Sequence, residues 1–166
     1  MKYDLIIESR PSEVVIALLR DGLLIELHKE KHDNNFAAGD IYLGKVRKTI
    51  PGLNASFVNV GYEKDGFLHY LDLGTQLNSY KKFTRQAIQK KLNTASLKNF
   101  KKEENLKKEG SINDALKAGD LILAQISKEP ISTKGPRLTT EVSIAGRYMI
   151  LIPFSDKVSI SQKINN

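Results

Sequence analysis

The 166-residue sequence contains no cysteine and no tryptophan, and only two methionines. The lack of cysteine excludes disulfide bonds and thiolate metal sites. No apolar run approaches the roughly 20 residues that a membrane-spanning helix needs, so no membrane partner is predicted. Acidic residues interrupt the apolar N-terminus, and we therefore expect no signal peptide. Together these absences favour a cytoplasmic protein.

What is present is typical of a soluble globular chain. Apolar residues make up 40% of the sequence and charged residues 27%. The length is sufficient for one or two small domains with a proper hydrophobic core.

The positive charge is concentrated in one segment. The formal net charge is +7. Between Lys81 and Glu109 there are ten basic and three acidic residues, and ten minus three accounts for the whole excess. The sequence therefore predicts a neutral scaffold with one cationic insertion, a distribution that suits attraction to a polyanion.

Residues 41–71 organise the rest of the chain and predict three strands joined by tight turns. Pro51-Gly52 predicts a turn, because proline presets φ and glycine tolerates a positive φ. Alternation places Phe57 on the face of the second strand opposite Val58 and Val60. In the third strand, alternation separates Phe67 from its apolar neighbour Leu68 in the same way.

The flanking segments follow from the same periodicities. Residues 1–30 predict a three-strand meander with an Asp21-Gly22 hairpin turn, too small to bury much surface alone. Residues 73–120 break the strand pattern. The predicted helices are one beginning at Thr84, with Ile88, Leu92 and Ala95 on one side, and one from Ser111 ended by Gly119. Between them, Glu103–Lys107 and Glu104–Lys108 fit helical i,i+4 ion pairs, while the composition of residues 96–110 fits disorder equally well. Strands are predicted at 120–127, 137–145, 147–153 and 158–161.

Five short strands with an irregular link between the third and fourth predict an OB-type Greek-key barrel. Such barrels bind single-stranded nucleic acid by stacking bases on exposed aromatic rings. Phe57 and Phe67 are the candidates for stacking, and Lys134, in a Gly-flanked loop, is the candidate for a phosphate contact. The alternatives are that both rings belong to the core and that the lysine run is only a solvated face.

No catalytic centre is evident from the residue pattern. His28 and His32 lack a third ligand, His69 fits a partly buried barrel residue, and Glu63 and Asp65 fit a solvated loop. Ser-His-Asp, phosphate-loop and paired-carboxylate motifs are all missing.

Several motifs in order nevertheless resemble a known family. Gly44-Lys45-Val46, Ala55 to Gly61 and Gly66 to His69 resemble an S1-type RNA-binding domain. With Asp40 to Gly44, Pro51 to Ala55, Thr133 to Thr140 and Gly146 to Pro153, they resemble the N-terminal part of the ribonuclease E/G family, leaning towards the ribonuclease G branch. The resemblance covers most of the chain outside 75–112.

The resemblance implies the N-terminal part of a cytoplasmic, Mg²⁺-dependent endoribonuclease that cuts single-stranded RNA in processing and decay. It implies a mainly β fold: first strands of an RNase-H-like subdomain at 1–35, an S1-type OB-fold domain at 36–142 with a helical, lysine-rich insertion at 75–117, and the beginning of a 5′-sensor at 143–166. Phe57, Phe67 and Lys134 fall on the family's RNA-contacting positions. The full-length parent is expected to be a homo-oligomer.

Two departures from the family accompany this match. The catalytic aspartates would lie beyond Asn166, so the chain alone is expected to be inactive and to bind no metal. Gln162 stands where the ribonuclease E branch has an arginine. The rival hypothesis is a non-catalytic single-stranded RNA-binding module associated with the ribosome or translation. A third hypothesis, a protein-interaction barrel, predicts no RNA binding.

Overall fold

The computed structural model describes residues 1–31, 36–92, 100–146, 148–156 and 159–160. The chain divides into two compact units, residues 1–35 and 36–166. No helix in the described ranges is long and apolar enough to cross a membrane.

The first unit is an antiparallel meander of three strands, β1 (Tyr3–Ser9), β2 (Glu13–Arg20) and β3 (Leu23–Lys31). Asp21 and Gly22 join β2 to β3 with φ angles of 48° and 83°, the positive values that a type I′ hairpin turn requires. The predicted meander and its turn are therefore confirmed. No side chain in residues 1–30 is buried, because both faces of so small a sheet stay open within the unit.

The second unit is built on a closed five-stranded barrel. Its strands are β4 (Ile41–Ile50), β5 (Ala55–Asn59), β6 (Gly66–His69), β7 (Leu121–Lys128) and β8 (Arg137–Thr139). They close in the order β4-β5-β6-β8-β7, with the β6–β8 pair parallel and the others antiparallel. The predicted mainly β fold with an OB-type barrel is confirmed.

The barrel core comes from the inward positions of these strands. Alternation buries Val58 and Leu68 completely, together with Ile122 and Leu138 from β7 and β8. Helix α1 (Leu77–Ile88) packs on β7, and the short helix α2 (Ile112–Ala115) covers β4. The C-terminal strands β9 (Ile144–Ala145), β10 (Met149–Leu151) and β11 (Ser159–Ile160) form a separate small antiparallel sheet.

Several predicted elements were wrong in their extent. The turn predicted at Pro51-Gly52 is confirmed as a 3₁₀ turn over Pro51–Leu53, and Asn54, with a φ of 46°, ends it. Helix α1 begins at Leu77 rather than Thr84, since its buried side is Leu77, Tyr80 and Thr84, whereas Ile88 is 51% exposed at its end. Ala95 lies outside the described residues.

The remaining corrections concern the insertion and the strands after it. Helix α2 is capped by Ser111, as predicted, but ends at Ala115, and Gly119 (φ 91°) instead shapes the turn into β7. The predicted strand 137–145 is split into β8 and β9, because the Thr140 backbone and hydroxyl turn aside to bond Asp72 and Gly74.

Candidate nucleic-acid interface

Phe57 and Phe67 face each other across the β5–β6 pair on the outer side of the barrel. Their residues are direct antiparallel partners, while the next positions, Val58 and Leu68, point into the core. The ring centroids are 5.9 Å apart, with an edge-to-face angle of 71°. Each phenylalanine is only partly buried. The rings therefore form an aromatic surface that is open to solvent.

The same cross-strand row continues on both sides with basic residues. Lys48 of β4 is the register partner of Phe57, and its Nζ lies 5.4 Å from the centre of that ring. Arg137 of β8 is the parallel partner of Phe67. Its guanidinium donates to both carboxylate oxygens of Asp72, at 2.9 Å in the shortest contact. We call the set Lys48, Phe57, Phe67 and Arg137 the aromatic row.

The two basic members of the aromatic row were missed from the sequence. A β-bulge between Val46 and Lys48 breaks the alternation of β4 and changes which side chain faces outward. Arg137 reaches Phe67 through a pairing of strands that are 70 positions apart. Neither the bulge nor the β6–β8 pairing can be recognised from neighbouring residues in the sequence. Charge alone was the only sequence signal that could have suggested Lys48 and Arg137.

Lys134 lies in the loop between β7 and β8, and its side chain is exposed. Its amide donates to Ile131 O at 3.0 Å, closing a tight turn. The following Gly135 packs against the backbone of Asp65, where a Cβ would have no room. Phe67 N donates to Pro136 O at 2.8 Å, which fixes the loop beside β6. The structure thus brings the Lys134 loop to the strand of Phe67, without a described contact between the lysine and either ring.

The histidines and acidic residues considered as possible ligands make ordinary structural contacts. The Nδ1 of the half-buried His69 accepts a hydrogen bond from Leu71 N at 3.1 Å, capping the turn after β6. Asp65 lies 3.8 Å from the guanidinium of Arg47, and His28 lies 3.3 Å from Glu26. In the part of the chain that the structure describes, no three His, Asp or Glu side chains group closely enough to hold a metal ion. His32 and Gln162 lie outside the described residues.

Residues 100–110 of the lysine-rich insertion, which we name the strap, are tied to the barrel by backbone groups. Tyr70 OH donates to Lys107 O at 2.8 Å, Leu106 N donates to Thr75 O at 2.7 Å, and Asn54 Nδ2 donates to Gly110 O at 3.0 Å. The strap, which the structure describes throughout, contains no helix or strand, and the predicted helical ion pairs of Glu103 and Glu104 are therefore wrong.

Ion pairs neutralise part of the basic charge on the insertion. Lys82 Nζ lies 2.6 Å from Glu103, and this contact lowers the pKa of the Glu103 carboxyl through its hydrogen bond and its charge. Lys81 pairs with Asp120 at 2.7 Å and Lys102 with Asp156 at 2.5 Å. The exposed lysines of the strap for which no such acidic partner is described are Lys101, Lys107 and Lys108.

An aromatic cluster joins the strap to α1. Phe100 of the strap packs against Phe83 and Phe154, with ring centroids 6.1 and 5.0 Å apart. Tyr80 contacts Phe154 and donates its hydroxyl to Pro153 O at 3.1 Å. Burial, assisted by the negative charge of Glu141, raises the pKa of Tyr80 to about 12. This cluster is a structural support, whereas the aromatic row is an open platform.

Comparison with known proteins gives one consistent result. The chain is 31% identical over 163 residues to ribonuclease G of Haemophilus influenzae, covering 98% of this chain and 29% of that protein. It is 29% identical over 171 residues to ribonuclease G of Escherichia coli strain K12, covering 100% of this chain and 30% of that protein. It is also 38% identical over 128 residues to ribonuclease E of Synechocystis, covering 76% of this chain and 15% of that protein. The chain thus spans less than a third of the length of these relatives, and no family model matches it.

Proposed function

This chain belongs to the ribonuclease E/G family, and from that membership we propose that it is the RNA-binding, N-terminal portion of a ribonuclease G-like endoribonuclease. The barrel holds a single RNA strand on the aromatic row, and cleavage takes place in a part of the protein outside this chain. The observation that carries the proposal is the solvent-open pair of Phe57 and Phe67 on adjacent strands.

The geometry of the two rings favours unpaired bases. Stacking a base on an exposed aromatic ring contributes about 1–3 kcal/mol. Because the ring planes differ by 71°, two bases stacked on them are tilted by a similar angle. Neighbouring bases in a duplex lie parallel, so a duplex does not fit this platform, whereas a flexible single strand does.

The charge distribution supports contact with the RNA backbone. Lys134 is held on a loop that is fixed beside Phe67, where its ammonium binds a phosphate. The strap adds Lys101, Lys107 and Lys108, all exposed. Their contribution is sequence-independent attraction, which releases counterions and makes binding depend on salt.

The rest of the proposal concerns the whole protein. In the whole protein, residues 1–35 would be the first strands of an RNase-H-like subdomain, residues 36–142 the S1-type domain, and residues 143–166 the beginning of a 5′-sensor. Aspartates outside this chain would hold Mg²⁺, which when bound would activate a water for attack on phosphorus. The whole enzyme works in the cytoplasm as a homo-oligomer, on RNA in processing and decay.

The proposal is tested by binding of a labelled single-stranded RNA to the chain. Replacing both Phe57 and Phe67 by Ala is expected to weaken binding by about 1–3 kcal/mol for each base that no longer stacks. Leu53→Ala is the matched control, because Leu53 is an exposed apolar residue (56%) outside the aromatic row. Wild-type affinity in a folded double variant would show that the two rings do not stack on RNA bases.

A second experiment tests the strap. Deleting the insertion from Lys81 would remove part of α1 and its packing on β7, so substitution is the cleaner change. Replacing Lys101, Lys107 and Lys108 by Gln is expected to flatten the dependence of affinity on salt by about 0.7 in slope for each phosphate that the strap no longer neutralises. An unaltered slope would show that the strap lysines do not bind RNA.

A further inference from the structure

Lys48 is the one member of the aromatic row whose charge is placed directly against a ring. Its Nζ lies over Phe57, 5.4 Å from the ring centre. Its neighbour Arg47 is within 3.8 Å of Asp65, and Arg137 at the other end of the row is held by Asp72. Among the described residues, no acidic side chain forms an ion pair with Lys48. Its ammonium is therefore free to exchange one partner for another.

The β-bulge of β4 is the reason for this placement. Between Val46 and Lys48 the register shifts by one residue, so that Arg47 is the extra residue and Lys48 stands opposite Phe57. Without the bulge the alternation of β4 would place Lys48 on the inner face with Val46, which is buried. The bulge thus delivers an unpaired ammonium to the outer face.

A base that stacks on this face of Phe57 must displace the ammonium, since both occupy the same side of the ring. An exposed cation–π contact changes an equilibrium constant by roughly 2- to 5-fold. A stacked base changes it by roughly 5- to 150-fold, so the base wins the exchange. No cation lies over Phe67 among the described residues, and a base on that ring meets no such competitor.

We propose that Lys48 is an RNA-binding residue that covers the Phe57 ring in the free protein and binds the phosphate of the nucleotide that replaces it. This inference rests on the proposed function, because it needs a base on Phe57. The displaced ammonium stays attached through the flexible four-carbon side chain of Lys48, whose backbone lies beside the ring. The ammonium therefore remains within reach of the phosphate of that nucleotide.

The test measures the affinity of the whole chain for a fluorescent oligouridine RNA from about 50 to about 400 mM KCl. The plot of log affinity against log salt has a negative slope, and Lys48→Met is expected to make it shallower by about 0.7. The decrease in affinity between about 50 and 200 mM KCl then becomes roughly 2.5-fold smaller. At high salt, where the phosphate contact is screened, the variant is expected to bind as tightly as wild type or more tightly, since nothing competes for the ring.

Two variants control for charge. Lys48→Arg keeps a cation and is expected to keep the wild-type slope. Lys29→Met removes one positive charge from an exposed position on β3 and is also expected to show the wild-type slope. Circular dichroism checks folding, and Lys48→Gln replaces the methionine variant if that one is unfolded.

The outcomes separate this inference from the proposed function. A wild-type slope in a folded Lys48→Met or Lys48→Gln variant overturns the role of Lys48 while RNA binding by the barrel stands. A shallower salt dependence in Lys48→Arg would also overturn the role of Lys48, because that variant keeps the positive charge. If the wild-type chain binds no RNA at any salt concentration, the proposed function and this inference both fail.

Discussion

The two units of this chain are both built mainly from antiparallel strand pairs, yet they reach opposite degrees of burial. In the barrel, alternate residues such as Val58 and Leu68 are completely buried. In the meander of residues 1–31, Leu5 is 62% exposed and Leu23 is 73% exposed. Closing a sheet on itself gives every inward side chain apolar neighbours, whereas three open strands provide neighbours only within the sheet. Apolar content alone therefore does not make a core.

Truncating one leucine in each unit is the strongest way to break this comparison. Leu68→Ala is expected to lower the free energy of unfolding of the barrel by about 2–5 kcal/mol, because it leaves a cavity in a closed core. Leu5→Ala in the meander is expected to change it by less than about 0.5 kcal/mol. Urea unfolding of both variants measures the difference. Equal decreases would mean that the side chain of Leu5 is packed as firmly as that of Leu68.

We expect the meander to depend more on its Asp21-Gly22 turn than on its apolar side chains, because those side chains are exposed within the unit. Gly22 has a φ of 83°, which a residue with a Cβ adopts at a cost of about 1–2 kcal/mol. Gly22→Ala is therefore expected to reduce amide-exchange protection along β2 and β3. Gly52→Ala in the barrel is the matched control, since nothing lies within 4 Å of an added Cβ and no positive φ is involved. Unchanged protection in Gly22→Ala would show that the turn does not limit the hairpin.

In the barrel unit, side chains also hold segments that are far apart in the sequence. Tyr70→Phe removes the 2.8 Å hydrogen bond to Lys107 O and is expected to lower stability by about 1 kcal/mol. It should also accelerate cleavage of the strap by trypsin at Lys107 and Lys108. Tyr62→Phe is the control, because Tyr62 has no described hydroxyl hydrogen bond. Equal cleavage rates in the two variants would show that this bond does not restrain the strap.

The last prediction concerns the dependence of stability on pH. The pKa of Tyr80 is raised to about 12 by burial and by Glu141, so the folded state holds this proton more tightly than the unfolded state, whose tyrosine pKa is about 10. The stability that this provides is complete below about pH 10 and is lost as the pH rises towards 12. Urea midpoints of wild type and Tyr80→Phe should therefore converge over that range. A constant difference would contradict the role of Tyr80 ionisation.

Much of the barrel could be predicted because its signals are local. The alternation correctly separated the face of Phe57 and Phe67 from the face of Val58 and Leu68, although it left open which face is the core, and the Asp21-Gly22 pair correctly indicated a hairpin. The start of α1 was missed because Thr84, a residue of low helix propensity, belongs to its buried side. The strap was misjudged because its opposite charges fit a helix, while its actual partners lie on other elements. The roles of Phe57, Phe67 and Lys134 in RNA binding stay predictions.

The sequence by itself determined the strands, the turns and the position of the excess charge, since each of these depends on residues within a few positions of one another. Only the tertiary structure decided which basic residues border the two rings. The bulge in β4 turns Lys48 towards Phe57, and the parallel closure of β6 with β8 brings Arg137 beside Phe67. Strand pairing between distant segments sets these neighbours, and its register is decided by the packing of the whole barrel rather than by any local pattern.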